Sequence, residues 1–116
     1  AYGIPKDDPN RDSIMEEALR QACTAPLSIM RAAAKAIELH AELEQKGSRL
    51  MLSDVAVGVL CCKTALMGAS MNVYINLRSM KDGIYAAELR SEVELLLTKY
   101  CAMADEVYGK VFDKLK

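Results

Sequence analysis

Between Ser53 and Asp82 a single segment gathers most of the side chains that could do chemistry: Asp54, Cys61, Cys62, Lys63, Asn72 and Asn76. Mapped at 100° per residue, Asp54, Gly58, Cys61, Ala65, Gly68, Asn72 and Asn76 fall on one stripe of a helix. Most of that stripe is small. A glycine inside a helix costs about 1 kcal/mol relative to alanine, and the usual compensation is a body that comes close to the backbone. Here that body is either a tightly crossing helix or a ligand for which the stripe is the wall of a cleft. Asn72 and Asn76 lie one turn apart, and each amide offers both donors and an acceptor. They either bond to backbone or a partner subunit, or read the edge of a planar heterocycle. Asp54 falls in a first helical turn, where a carboxylate meets the positive end of the helix dipole. It therefore either stabilises the helix or serves as a base or electrostatic stabiliser. Asp54 and Asn72 are 18 residues apart, which is about 27 Å along one helix. A site using both is long, or takes one of them from a second copy of the chain.

The other chemistry-bearing residues read as structural. Cys23, Cys61, Cys62 and Cys101 lack the spacing of a zinc or redox site, and free thiols in a reducing cytoplasm are the simplest expectation. His40, the only histidine, sits beside an apolar helical stripe with no ligand partner at metal spacing.

These residues need helices to position them, and the pattern supplies about four. Gly3 and Pro5 mark an extended lead-in, with Asp8 as N-cap and Pro9 at the first helical position. A first helix is predicted to reach about Thr24, where Thr24-Ala25-Pro26 breaks it, and a second to run from Pro26 to Lys46. Gly47 is expected to end that helix in a left-handed conformation. Ser53 is the predicted cap of a third helix to about Arg78, apolar over most of its circumference and hence expected to be buried. Asp82 is the predicted cap of a fourth helix ending near Leu115, with a heptad seam of Ala86, Leu89, Val93, Leu96, Tyr100, Met103 and Val107.

The 116 residues suit one domain spanning the whole chain, 1–116. Helix formers dominate and β-branched runs are scarce, so the expected class is an all-α, elongated antiparallel bundle, with a homodimer to cover the leftover apolar face. With 15 Lys+Arg against 16 Asp+Glu, the chain has no field suited to nucleic acid or an anionic membrane surface. Lys63 near the middle of the third helix argues against a transmembrane role.

The stretch SDVAVGVLCCKTALMGASMNVYINLRSMKD, with AYGIPK at residues 1–6 and APL at 25–27, resembles the cyclodeaminase domain of the formiminotransferase-cyclodeaminase family. That family includes stand-alone methenyltetrahydrofolate cyclohydrolases. The resemblance implies a dimeric helical bundle in cytoplasmic folate one-carbon metabolism, acting on a reduced folate without metal or redox cofactor. It also implies further helices ahead of the AYGIPK segment, so that this chain corresponds to the C-terminal portion of such an enzyme. The matching positions are Lys6, Ser53, Asp54, Gly68, Asn72 and Asn76. Among them Asp54 is the catalytic candidate, Asn72 and Asn76 are candidates for fixing the pterin, and Lys6 for the folate's anionic glutamate tail. The alternative is a non-catalytic helical dimerisation module or an inactive fragment of such an enzyme.

Overall fold

A computed structural model of the chain describes residues 3–116, so Ala1 and Tyr2 lie outside the described residues. The regular elements are α1 (Arg11–Lys46), a 3₁₀ turn (Arg49–Met51), α2 (Leu52–Ser79) and α3 (Gly83–Leu115). Among the described residues the all-helical expectation holds, with three long helices where the sequence pattern suggested four. The rod measures 63 × 24 × 19 Å, and its radius of gyration of 18.5 Å exceeds the ~13 Å of a compact chain this long.

The expected break at Thr24-Ala25-Pro26 does not occur: α1 runs straight through Pro26. A proline in a helix interior costs about 3 kcal/mol. Leu19 and Cys23 before it, and Leu27 and Met30 after it, are all buried on one face. Each large side chain contributes about 1.5–3 kcal/mol by burial, so an uninterrupted face outweighs the proline.

Other ends differ from the pattern in detail. The helix begins at Arg11, not Pro9. Asp8 instead accepts the Asn10 N–H at 2.8 Å and, through its carbonyl, the Arg11 N–H at 3.1 Å. Gly47 is extended (φ −76°, ψ 163°), not left-handed. Its N–H donates to Leu43 O at 2.7 Å, so close that a Cβ would lie 2.5 Å from that oxygen. Crowding, not φ, selects glycine there. Ser53 is not a cap, because the 3₁₀ turn feeds directly into α2 at Leu52 and leaves no extended residue for it to occupy. Asp82 does cap α3, accepting the Tyr85 N–H at 3.1 Å.

The helices are held in register along the whole rod. The α1–α2 pair is antiparallel, with Ala22 beside Asn76 and His40 beside Gly58. α3 runs parallel to α1 through Arg31–Glu92, Tyr100–Glu38 and Lys114–Glu44. It lies antiparallel to α2, with Lys63 and Asp105 paired at 2.7 Å. Every position of the predicted α3 seam is buried or half-buried, and one core cluster draws on all three helices.

The expectation that α2 is buried over most of its circumference fails. Leu52, Val55, Val59, Leu66, Val73 and Leu77 face the core. On the opposite side Val57, Met71 and Ile75 are 61, 56 and 64% exposed, and Leu60 and Met67 are exposed as well. The span Arg49–Ser79 is long and apolar enough, by length and composition, to cross a membrane.

Candidate functional site

α2 presents its chemistry along the border between α1 and this open apolar face. Gly58 and Asn76 lie on the α1 side of the border, while Cys61, Ala65, Gly68 and Asn72 are exposed. The two glycines therefore have different surroundings. A side chain at Gly58 would overlap His40 Nε2 and come within 3.0 Å of Cδ2. His40 is half-buried, and its Nδ1 hydrogen-bonds Ala36 O at 2.6 Å. The glycine is thus the seat of the imidazole, a structural role for the lone histidine. Around Gly68 nothing lies within 4 Å of where a Cβ would stand.

The two asparagines also part company. Asn76 donates from Nδ2 to Asn72 O at 2.9 Å and to Ala22 O of α1 at 3.5 Å. The Asn72 side chain is exposed on the open face. Asp54 is exposed in the first turn of α2. Next to it lies an apolar hollow of about 360 Å³ lined by Ser53, Ala56, Val57, Tyr108, Val111 and Phe112. Lys6 is exposed in the lead-in to α1.

Of the four candidates, the fold brings together only Asn72 and Asn76. Lys6 precedes α1, whose first turns meet the α2–α3 corner through Glu16 and Arg20, so it belongs to the Asn76 end of the rod. Asp54 stands toward the other end, 18 residues from Asn72 and hence about 27 Å away.

Three of the four thiols are not poised as nucleophiles. Burial pushes Cys23, Cys62 and Cys101 above the ordinary thiol range, and only secondarily does Lys63 draw Cys101 back. Lys63 is itself held protonated by its hydrogen bond to Asp105.

Two features escaped the sequence pattern. One is the His40–Gly58 contact, signalled only by a helix-interior glycine and a histidine on different helices. The other is the pairing of Asn76 with the carbonyl four residues before Pro26.

The described residues thus form an all-helical rod of three long helices, with an asparagine pair at the edge of an exposed apolar face of α2. Sequence comparison makes the assignment specific. The model of the formiminotransferase-cyclodeaminase family matches residues 1–95, and the chain belongs to that family. It is 33% identical over 119 residues to the methenyltetrahydrofolate cyclohydrolase of Methylorubrum extorquens, with 99% of this chain and 57% of that protein covered. It is 31% identical over 115 residues to the formimidoyltransferase-cyclodeaminase of Rattus norvegicus, covering 96% of this chain and 21% of the relative. The corresponding figures for the protein of the same name from Dictyostelium discoideum are 34%, 99% and 20%. The chain thus spans little more than half the length of the first of these relatives and about a fifth of the others.

Proposed function

We propose that the protein is a folate one-carbon enzyme, a cyclodeaminase or cyclohydrolase that binds a reduced folate along the border of α2. In the first reaction N10 bonds to the formimino carbon of 5-formiminotetrahydrofolate. The carbon's bond to the imino nitrogen then breaks, and ammonia leaves with the protons shed by N10 and the medium. In the second, water adds to the carbon of the 5,10-methenyl ring and sheds one proton to the medium, the carbon's bond to N5 breaks as the remaining hydroxyl proton passes to N5, and 10-formyltetrahydrofolate results. Both pass through a tetrahedral carbon between two nitrogens, and both need a group that moves a proton at that carbon. Neither step calls on a metal or a redox cofactor.

The observation that carries this reading is the exposed Asn72 amide beside the bare Gly68 backbone on a face that nothing in the single chain covers. A flat, hydrogen-bonding heterocycle suits that surface, because the glycine admits close approach and the amide answers mixed donors and acceptors. Lys6, at the same end, is the candidate for the ligand's anionic tail.

Asp54 joins this site through a second copy. The open apolar face is the material of a homodimer interface, and an antiparallel, two-fold pairing of α2 with its twin is self-complementary. An axis passing at the level of Lys63, midway between Asp54 and Asn72 in sequence, sets Asp54 of one protomer against Asn72 of the other. Lys63, Asn72 and Asn76 favour protein over lipid as the cover for this helix. A cytoplasmic setting follows from the folate chemistry, and the near-neutral charge gives nucleic acid no purchase.

Two measurements test the reading: titration with 5-formyltetrahydrofolate for binding, and the absorbance of 5,10-methenyltetrahydrofolate over time, rising from supplied 5-formiminotetrahydrofolate or falling when the methenyl compound itself is supplied. Asn72→Leu should weaken binding with helicity intact, and unchanged affinity would return Asn72 to packing. Mixing inactive Asp54→Asn and Asn72→Leu protomers should restore part of the activity through mixed dimers, and no restoration would remove the shared site. The same open face also serves a second reading, a non-catalytic dimerisation module, for which the result is self-association without folate binding.

A further inference from the structure

Pro26 lies in the interior of α1 and has no N–H. In an uninterrupted helix that N–H would pair with the carbonyl four residues earlier, which is Ala22 O. Ala22 O instead accepts from Asn76 Nδ2, on the neighbouring helix, at 3.5 Å. The same nitrogen donates to Asn72 O at 2.9 Å. An amide nitrogen carries two N–H donors, so two carbonyls use both. Because both neighbours are carbonyl oxygens, only the nitrogen end of the amide can face them, and the chemistry itself fixes the orientation of the side chain.

We propose that Asn76 is a positioning residue, a clasp that answers the carbonyl freed by Pro26, fixes the register of α2 against α1, and so sets where the Asn72 amide is presented. This separates two residues that the sequence treats alike: Asn72 meets the ligand, and Asn76 acts through it. The ligand half of the proposal rests on the folate reading above, while the clasp itself does not. The long proline-containing helix and the paired asparagines then form one device. A proline that costs α1 a hydrogen bond gives α2 an acceptor found at one level of the rod only, and a slip of α2 by one turn would lose it.

A double-mutant cycle over Pro26→Ala and Asn76→Ala tests this with the full chain. Alanine at position 26 restores the N–H, so Ala22 O regains a partner inside its own helix. With Pro26 in place, Asn76→Ala should lower the folding equilibrium constant about twofold to fivefold, the worth of one long bond of this kind. In the Pro26→Ala background the same change should cost less than half as much on a logarithmic scale. Equal costs in both backgrounds would overturn the clasp. The affinity for 5-formyltetrahydrofolate, measured where all four proteins are folded, separates positioning from contact. Asn76→Ala should weaken binding, and adding Pro26→Ala should recover it. Pro26→Ala should not rescue Asn72→Ala. Recovery of stability without recovery of affinity would mean that Asn76 touches the ligand, and the positioning role would be wrong. If the unsubstituted chain binds no folate, the folate reading and the positioning half fall together, and the stability cycle still decides the clasp.

Discussion

Gly68 is the sharpest probe of what the open face of α2 is for. In the single chain nothing lies within 4 Å of the position its Cβ would take, so Gly68→Ala meets no obstacle there and removes the entropic penalty of a helix-interior glycine. That is a gain of about 1 kcal/mol, or a rise of roughly 4 °C in Tm for a chain of this size. In a dimer closed over this face, the added methyl stands in a close helix contact. Overfilling such a contact costs about 1–3 kcal/mol, and a two-fold axis applies the cost to both copies. A net loss of about 2 kcal/mol corresponds to roughly thirtyfold in the dimer dissociation constant. The substitution should therefore have opposite signs at the two ends of a concentration series. Thermal unfolding of the dilute chain moves up, while sedimentation equilibrium shows weaker association. Gly68→Leu should widen the second effect. A dimer dissociation constant unchanged by either variant would refute the close apposition, and a wild-type chain that stays monomeric at every concentration would refute the homodimer.

Gly58 answers differently, because His40 already occupies the space. Gly58→Ala gains about 1 kcal/mol of helix propensity but expels the imidazole from its bond to Ala36 O, worth about 1 kcal/mol. Urea unfolding should show a net change near zero, against the full gain in a His40→Ala background; equal gains in both would mean that the ring offers no resistance. Glu16 supplies a pH dependence. Its carboxylate accepts the backbone N–H groups of Lys81 and Asp82, each at 2.9 Å, and those bonds hold it below its ordinary value of 4.5. A depressed carboxylate contributes stability that is present above its unfolded value and is lost as pH falls through its folded one. Glu16→Gln should therefore lower the urea midpoint at neutral pH, with the gap to wild type closing as pH drops below about 4.5; a gap that persists in acid would assign the effect to packing.

The sequence carried the helical class, the elongation, the α3 seam and the Asp82 cap because each depends on spacing within one element. Val93, Val107 and their seam partners repeat at three and four residues whichever way the neighbours lie. The open face of α2 was hidden for a related reason. Val57, Leu60, Met67, Met71 and Ile75 form as apolar a stripe as the core side of the same helix, and composition cannot say which of two apolar sides the chain covers for itself. Three helices have only enough surface to cover one. The stripe of small residues was legible as a set, while its division into a seat for His40 and an open stretch at Gly68 depended on which residues α1 places opposite.

Pro26 shows most clearly where a local reading stops. Taken alone it is a helix breaker, and its cost of about 3 kcal/mol is large enough to end a helix with nothing to gain by continuing. α1 continues because Leu19, Cys23, Leu27 and Met30 form one buried face that a break would disrupt. The carbonyl left over at Ala22 has become the acceptor for a residue 54 positions away in sequence. Asn76 in turn was legible as an amide in need of partners, but not as the partner of a proline. The two puzzles solve each other only once α1 and α2 lie side by side. A local rule fails here because the fold compensates for the violation and uses the freed acceptor to set the register of the helix that carries Asn72.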